Sequence, residues 1–320
     1  MQIDRGSYGD ARTPWEDPEW RTAAFEWLAQ QMAAHGLRES GPRRVRLRPW
    51  SVIIRIAADS PVWFKANSPG SRFEAALSEA LSRWVPEHVL TPYAVDAARG
   101  WSLLPDGGPL LRGLPAEPRH WEELLSQYAD LQRTLVPHAD ELERLGVPNA
   151  RVAALPGIFD AMIADNQTLS ASDRERLHKV RRRLLDWCAE LASIGIAESL
   201  DHSDLHDGQI LAPGPGRYTF FDWGDASVSH PFCSLLVAVE RAADSHGPGI
   251  VPRLRDAYLE AWTADGHTAT ELHRAADLAW RLGQLGRAAS WGRLFPDAFP
   301  SSTPVGATER AAALLKLTDG

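Results

Sequence analysis

Apolar residues recur at helical spacing between residues 17 and 36, close to the start of the chain. Asp17 suits the N-cap, Pro18 suits the first helical position, and Gly36 ends the pattern. The apolar positions share one face and are Trp20, Ala23, Ala24, Trp27, Leu28 and Met32. We therefore predict an amphipathic helix here that packs along one side.

Strand-like runs follow this helix. They read "RRVRLRPW", "SVIIRIA" and, after the turn signal "ADSP", "PVWFKA". A second helix is predicted over roughly 71–84, and "GWSLLP" at 100–105 predicts one more strand before "DGG" interrupts the pattern. The first third of the chain is thus expected to form a small sheet with two helices.

Beyond Pro109 the periodicity becomes helical. Long amphipathic patterns occur in "HWEELLSQYADLQRTLVPHADELERL", "ASDRERLHKVRRRLLDWCAELASIG" and "TATELHRAADLAWRLGQLGRAASWGRLF". The prediction is an α+β protein with two lobes. Residues 1–106 would form a small antiparallel-sheet N-terminal lobe, and residues 107–320 a larger, mostly helical C-terminal lobe.

The composition argues against several classes of protein. Hydrophobic residues make up 44% and charged residues 24%, as in ordinary globular proteins. The net charge of -8 argues against a nucleic-acid partner, and the longest apolar stretches, such as "LLVAV" at 235–239, are too short to span a bilayer. Two cysteines give no disulfide framework, and "MQIDRGSYGD" has no apolar secretory core, so we expect a cytoplasmic protein.

The stretch "LDHSDLHDGQIL" at 200–211 concentrates polar side chains that a hydrophobic core does not need. "QILA" and "RYTFFD" are strand-like and are joined by "PGPG", which predicts a β-hairpin with its turn centred between Gly214 and Pro215. Gln209 and Asp222 would then meet at the open end of the hairpin, roughly 5 Å apart. The preceding loop would bring Asp204 to the same place.

Carboxylate and amide oxygens in one small volume suit Mg²⁺, which takes the rest of its ligands from phosphates and water. Asp222 and Gln209 supply two such oxygens, and Asp204 is placed to accept a proton from an attacking hydroxyl. Positioning and charge compensation are what phosphoryl transfer requires of a protein. The spacing therefore favours a phosphotransferase.

"HSDLHDGQIL" followed by "FFDWGDA" resembles the signature of the aminoglycoside phosphotransferase and choline kinase family. The resemblance implies a protein-kinase-like fold, ATP and Mg²⁺. It also implies that Asp204 is the catalytic base, that His202 braces the catalytic loop, and that Asp222 is the principal metal ligand. Lys65 matches the lysine that holds the α- and β-phosphates of ATP.

The chain departs from the family pattern at three places. Gln209 replaces the usual asparagine and is one methylene longer, and His230 in "SHPF" stands where the family often has aspartate. "RPWS" at 48–51 occupies the turn where a glycine-rich loop would precede Lys65. His206 and Asp207 are expected to shape the loop.

Nucleotide-binding residues are predicted in the N-terminal lobe. Lysine occurs at just three positions in an arginine-rich chain, which favours a specific role for Lys65. Glu74 is its favoured ion-pair partner, although Ser71 and Glu74 also have the spacing of a capping box. Leu104 and Asp106, where the last strand meets the joint, are predicted to contact the nucleotide.

The expected function is ATP- and Mg²⁺-dependent phosphorylation of a hydroxyl on a small molecule. Carboxylates that border the site favour a cationic acceptor, such as an aminoglycoside or an amino alcohol; they are Asp201, Asp204, Asp207, Asp222 and Asp225. Two alternatives remain at this point. One is a kinase-like protein that binds nucleotide without transferring phosphate, and the other is a metal-dependent hydrolase with ligands at His202, Asp204 and His206.

Overall fold

A six-stranded sheet organises the N-terminal part of the structure, a computed structural model that describes residues 2–115, 117–299 and 305–318. Its strands are β1 (Gln2–Asp4), β2 (Arg44–Arg48), β3 (Ser51–Ile56), β4 (Val62–Asn67), β5 (Ala94–Asp96) and β6 (Trp101–Pro105). They lie in the order β1-β2-β3-β4-β6-β5, and every neighbouring pair except β1 and β2 is antiparallel. The strands predicted within 43–66 and 100–105 are confirmed.

Helix α1 (Pro18–Ala34) covers the hydrophobic core of this sheet. Its N-terminus forms as predicted, because the Asp17 carboxylate accepts the backbone N–H of Glu19 at 2.9 Å. The rings of Trp27, Phe64 and Trp101 lie 5.6–5.9 Å apart in edge-to-face or tilted contacts. Such aromatic contacts add to the stabilisation from buried area.

Two strands and one helix start differ from the predictions. The strands β1 and β5 have three residues each, too few to show an alternating pattern. Helix α2 (Glu74–Trp84) begins three residues later than predicted, because Pro69–Ser71 forms a 3₁₀ turn instead. The N-cap of this helix is Phe73, without a side-chain hydrogen bond, and not Ser71.

The chain divides into two compact units, Met1–Gly107 with Gly292–Gly306 and Gly108–Trp291 with Ala307–Gly320. The second unit is mainly helical, as predicted. Its helices are α3 (Pro118–Leu135), α4 (Ala139–Arg144), α5 (Leu155–Asp165), α6 (Ala171–Ile194), α7 (Leu235–His246), α8 (Val251–Glu260), α9 (Ala269–Ser290) and most of α10 (Val305–Leu315). Among the described residues, no helix has the length and apolar character needed to cross a membrane.

One predicted long helix is interrupted. The helical pattern of 120–145 divides into α3 and α4, and residues Val136–His138 form a 3₁₀ turn between them. Pro137 lies in this turn, where its ring and missing N–H break the regular bonding of an α-helix.

Short strands flank the motif residues in the second unit. Strands β8 (Ile210–Gly214) and β9 (Arg217–Phe220) form the predicted hairpin, with Gly214 opposite Arg217. The turn is therefore centred one residue later than predicted, between Pro215 and Gly216. Strand β7 (Ser199–Asp201), which leads into the motif, pairs antiparallel with β10 (Ser227–Ser229).

Gly100 marks a close approach between the β5–β6 turn and the segment that leads into α2. It has φ +68°, and a Cβ there would lie 2.8 Å from the Cα of Arg72. We expect Gly100→Ala to lower the free energy of unfolding by about 2 kcal/mol or more, because left-handed strain of about 1 kcal/mol adds to displacement of the Arg72 backbone. Urea denaturation measures the loss.

Gly36→Ala is the matched control for this substitution. Gly36 has φ +66°, and apart from its chain neighbours no described residue has an atom within 4 Å of the position that a Cβ would take, so this variant carries the strain without the contact. Equal losses in the two variants would show that the approach to Arg72 imposes no constraint.

Candidate active site

Lys65 and Glu74 form a buried ion pair in the first unit. Lys65 lies on β4 and Glu74 is the first residue of α2. The Lys65 ammonium lies 2.6 and 2.8 Å from the two carboxylate oxygens of Glu74, and both side chains are less than a tenth exposed. The favoured ion pair is therefore present. Burying two charges is costly unless they compensate each other, so this pair holds the ammonium in one position.

Leu104 and Asp106 lie at the end of the same sheet. Leu104 is half-buried on β6, opposite Trp63. Asp106 follows the strand with an exposed side chain, and its backbone N–H donates to the carbonyl of Pro61 at 3.1 Å. Their contact with a nucleotide stays a prediction.

The buried Asp201 side chain stabilises the loop that carries Asp204. Ser203 adopts a left-handed conformation with φ +60°, which non-glycine residues seldom do. The buried Asp201 carboxylate accepts the backbone N–H and the hydroxyl of Ser203, each at 2.9 Å, and the hydroxyl of Ser234 at 2.6 Å. Burial raises the pKa of Asp201, while these hydrogen bonds act in the opposite direction. They stabilise the unusual turn directly before Asp204.

His202 links this loop to the segment that carries Asp222. Its Nε2 lies 3.0 Å from the carbonyl oxygen of Phe221. Because a carbonyl oxygen can only accept, Nε2 carries the proton in this contact. The imidazole also packs on Trp223, with ring centroids 4.7 Å apart, and the whole side chain is buried. These contacts connect the loop to the segment that follows β9, and the bracing role of His202 in catalysis stays a prediction.

Gln209, Asp204 and Asp222 converge at the mouth of the β8–β9 hairpin. The backbone N–H of Phe221 donates to the carbonyl of Gln209 at 3.2 Å, so Asp222 follows the residue opposite Gln209. The Gln209 side chain lies close enough to Asp204 to lower the pKa of its carboxyl, and the charge of Asp222 raises the same pKa. Asp222 itself is left-handed, with φ +65°, which turns the chain sharply after β9.

The oxygen atoms at this mouth fit Mg²⁺ better than zinc or iron. Two carboxylates and one amide are hard oxygen donors, and Mg²⁺ keeps several water or phosphate ligands in addition. Within residues 2–115, 117–299 and 305–318, no cluster of three or more histidine, cysteine, aspartate or glutamate side chains could hold a metal. The His202, Asp204 and His206 ligand set of the hydrolase hypothesis therefore does not form.

Arg287 contacts Asp204, the predicted base, and the sequence analysis did not predict this contact. It extends from α9, and its guanidinium lies 2.7 Å from Asp204 Oδ1 and 3.8 Å from Asp225 Oδ2. Burial raises the pKa of Asp204, and the charge of Asp222 acts in the same direction, whereas Arg287 and His202 lower it. Arg287 thus favours the ionised carboxylate, the form that can accept a proton.

His206 and Asp207 shape the loop, in keeping with the expectation from the sequence. The backbone N–H of Gly208 donates to His206 Nδ1 at 2.9 Å, and Arg112 lies 3.1 Å from Asp207. Burial, aided by the charge of Arg112, lowers the pKa of His206 to about 4. A neutral ring that accepts at Nδ1 carries its proton on Nε2, which lies 3.6 Å from Asp204 Oδ2.

A buried polar network supports the loop from the helical core. The amide of Gln132, on α3, donates to the carbonyl of Leu200 at 2.7 Å and to that of Pro231 at 3.1 Å. The backbone N–H of His202 lies 3.1 Å from the hydroxyl of Tyr128. These α3 side chains lie about 70 residues before the motif, and no local pattern marks them as part of the site.

Comparison with known proteins identifies a family for this chain and several solved structures that are similar to it. The model of the APH family, described as a phosphotransferase enzyme family, matches residues 43–276. A search of curated proteins found no match. Among solved structures, the chain is similar to APH(2")-IIia, solved as its GDP and kanamycin complex, at 14% identity and a TM-score of 0.59, covering 92% of this chain and 98% of that one.

Two further structures have the same fold. Ethanolamine kinase from Plasmodium vivax is 13% identical with a TM-score of 0.61, covering 94% of this chain and 89% of that one. Macrolide 2'-phosphotransferase MphH from Brachybacterium faecium is 18% identical with a TM-score of 0.55, covering 91% and 98%. The fold and the family match together define a phosphotransferase. The chain belongs to the APH phosphotransferase family.

Removing the Ser234 hydroxyl tests how far its hydrogen bond to Asp201 stabilises the protein. We expect Ser234→Ala to lower the free energy of unfolding by about 1–3 kcal/mol, because the buried Asp201 carboxylate loses a donor that nothing replaces. Ser193→Ala is the control, since this exposed hydroxyl donates to the carbonyl of Glu190 within its own helix. Similar stability of the two variants in urea denaturation would contradict the role given to Ser234.

Arg287→Gln tests the electrostatics of Asp204, the predicted base. Because Arg287 lowers the pKa of Asp204, its loss should raise that pKa and move the acid limb of the pH–rate profile to higher pH. The rate of phosphoryl transfer should consequently fall more at the acid end of the profile than at the alkaline end. Arg182→Gln, an exposed arginine on α6, is the control. A uniform loss across the profile would be inconsistent with this effect.

Proposed function

We propose that this protein transfers the γ-phosphoryl group of ATP to a hydroxyl of a small molecule, with Mg²⁺ as the metal. The observation that carries the proposal is the convergence of Asp204, Gln209 and Asp222 at one hairpin mouth, with the Arg287 guanidinium 2.7 Å from Asp204 Oδ1. Membership of the phosphotransferase family supports the same reaction.

Each predicted site residue has a part in the proposed reaction. The acceptor oxygen attacks the γ-phosphorus, and its proton passes to a carboxylate oxygen of Asp204. A new oxygen–phosphorus bond forms while the bond from the γ-phosphorus to the β–γ bridging oxygen breaks, and ADP leaves with the electron pair. His202 positions the loop, and Lys65, oriented by Glu74, binds the α- and β-phosphates.

Asp222 and Gln209 would hold Mg²⁺, which when bound neutralises charge on the β- and γ-phosphates. Gln209 would offer its amide oxygen for this purpose. Leu104 and Asp106 would contact the nucleotide at the end of β6. The nucleotide complexes of related proteins, such as the GDP complex of APH(2")-IIia, support nucleotide use.

The charge argument for a cationic acceptor is weaker in the structure than in the sequence. Carboxylates around the motif have partners within the protein: Asp201 is buried with serine donors, Asp204 and Asp225 lie near Arg287, and Asp207 is paired with Arg112. These charges are compensated within the protein and do not form an exposed acidic surface. The acceptor class therefore needs evidence from elsewhere in the second unit.

Asp204→Asn tests the reaction directly. The amide cannot accept a proton as the carboxylate does, so we expect transfer to fall by about 10²-fold or more while ATP still binds. Wild type and variant are incubated with ATP, Mg²⁺ and a panel of hydroxylated acceptors, and mass spectrometry detects the gain of one phosphoryl group. Asp186→Asn, an exposed aspartate on α6, is the matched control.

Three results would contradict parts of this proposal. Unchanged transfer by Asp204→Asn would exclude Asp204 as the base. A thermal shift with ATP and Mg²⁺ but no transfer across the panel would favour a nucleotide-binding protein without transferase activity. Tightly bound zinc or iron in the purified protein would favour a hydrolase.

A further inference from the structure

A cavity of about 570 Å³ opens in the second unit between α8, α9 and the turn that follows α10. This volume is typical of a pocket for a small molecule. Its walls contain four cationic side chains, Arg255, Arg274, Arg281 and Lys316, and a single carboxylate, Asp277. The surplus of positive charge is notable in a chain whose net charge is -8.

Two of the cations are neutralised locally. Arg255 lies 2.7 Å from Asp277, and Arg274 forms a two-point contact with Glu190 at 2.5 and 2.6 Å. In the described part of the chain, the salt bridges leave Arg281 and Lys316 without a carboxylate partner. Both side chains are exposed to solvent at the cavity. The cavity therefore offers two cationic groups to a ligand.

One face of α9 carries both residues of this cavity and the arginine that contacts the predicted base. Trp280 and Gln284 line the cavity, and Arg287, which contacts Asp204, follows on the same face of the helix at positions i, i+4 and i+7. With a rise of 1.5 Å per residue, Trp280 and Arg287 are about 10 Å apart along the helix axis. A molecule of moderate size can span this distance.

We propose that the cavity binds the phosphoryl acceptor, and that this acceptor carries an anionic group, a carboxylate or a phosphate. Arg281 and Lys316 bind the anion, Trp280 supplies an apolar wall, and the hydroxyl to be phosphorylated lies at Asp204. The inference rests on the proposed function. An ammonium group would meet Arg281, Lys316 and Arg287 in turn, so the same features disfavour a polycationic acceptor.

The charge preference can be measured with acceptors that differ at one group. One matched set contains 3-phenyllactate, 3-phenyllactamide and 1-amino-3-phenylpropan-2-ol, which are anionic, neutral and cationic. A second set contains gluconate, gluconamide and glucamine, with the same three charges. Glycerol 3-phosphate and glycerol form a third pair, in which the anion is a phosphate instead of a carboxylate. Calorimetry measures binding of each compound without ATP, and mass spectrometry measures transfer with ATP and Mg²⁺. We expect the anion in at least one set to bind and react better than its neutral and cationic partners.

Substitutions at the cavity localise the effect. Arg281→Gln and Lys316→Gln should each weaken binding of the anion by about tenfold, as expected for the loss of a charged hydrogen bond, and leave the neutral partner unaffected. Lys179→Gln is the control, because this lysine is 73% exposed on α6 and pairs with Glu175. Arg281→Glu should invert the preference towards the amine.

The outcomes separate this inference from the proposed function. Transfer to amines or amides with no preference for anions, or anion binding that survives Arg281→Gln and Lys316→Gln, would overturn the inference and leave the phosphotransferase intact. Anion binding that these variants abolish, without any transfer, would overturn the function and keep the binding site. If no anion binds, the inference is wrong.

Discussion

The hydrogen bond from His202 to the carbonyl of Phe221 joins the two chain segments on which the site depends. One segment carries Asp204, two residues after His202, and the other carries Asp222, one residue after Phe221. Both turn through left-handed residues, Ser203 and Asp222, that are costly for side chains other than glycine. The structure around them has to compensate for this cost, and it does so with buried hydrogen bonds to Asp201 and with the packing of His202 on Trp223.

Much of the fold could be predicted because its signals are local. The cap and apolar stripe of α1, the alternation of β2, and the "PGPG" turn between β8 and β9 are each encoded within a few residues. The Lys65–Glu74 pair could also be anticipated, since a strand followed by a short helix places few acids within reach of one ammonium. The strands β1 and β5 could not, because three residues carry no periodicity and form a strand through the neighbour they pair with.

The residues around the motif that sequence reasoning missed come from distant parts of the chain. Gln132 lies 68 residues from its partner Leu200, and Arg287 lies on a helix far beyond Asp204. Nothing near these positions marks them, because a glutamine or arginine on an amphipathic helix is ordinary. Counting carboxylates along the sequence treated each one as exposed, whereas folding supplies Arg112, Arg287 and Ser234 as partners. The count therefore overstated the negative charge of the site.

In the proposed reaction, Arg287 connects the protonation of Asp204 with the charge of the acceptor. A buried carboxylate tends to take up a proton, and a protonated Asp204 could not accept one from the attacking hydroxyl. A cationic acceptor could itself supply the positive charge that keeps such a base ionised. Here the protein supplies it from α9, so the acceptor does not need to be a cation, and a second positive charge beside Arg287 would be repelled. The basic cavity along the same helix face extends this electrostatic argument from the base to the rest of the acceptor.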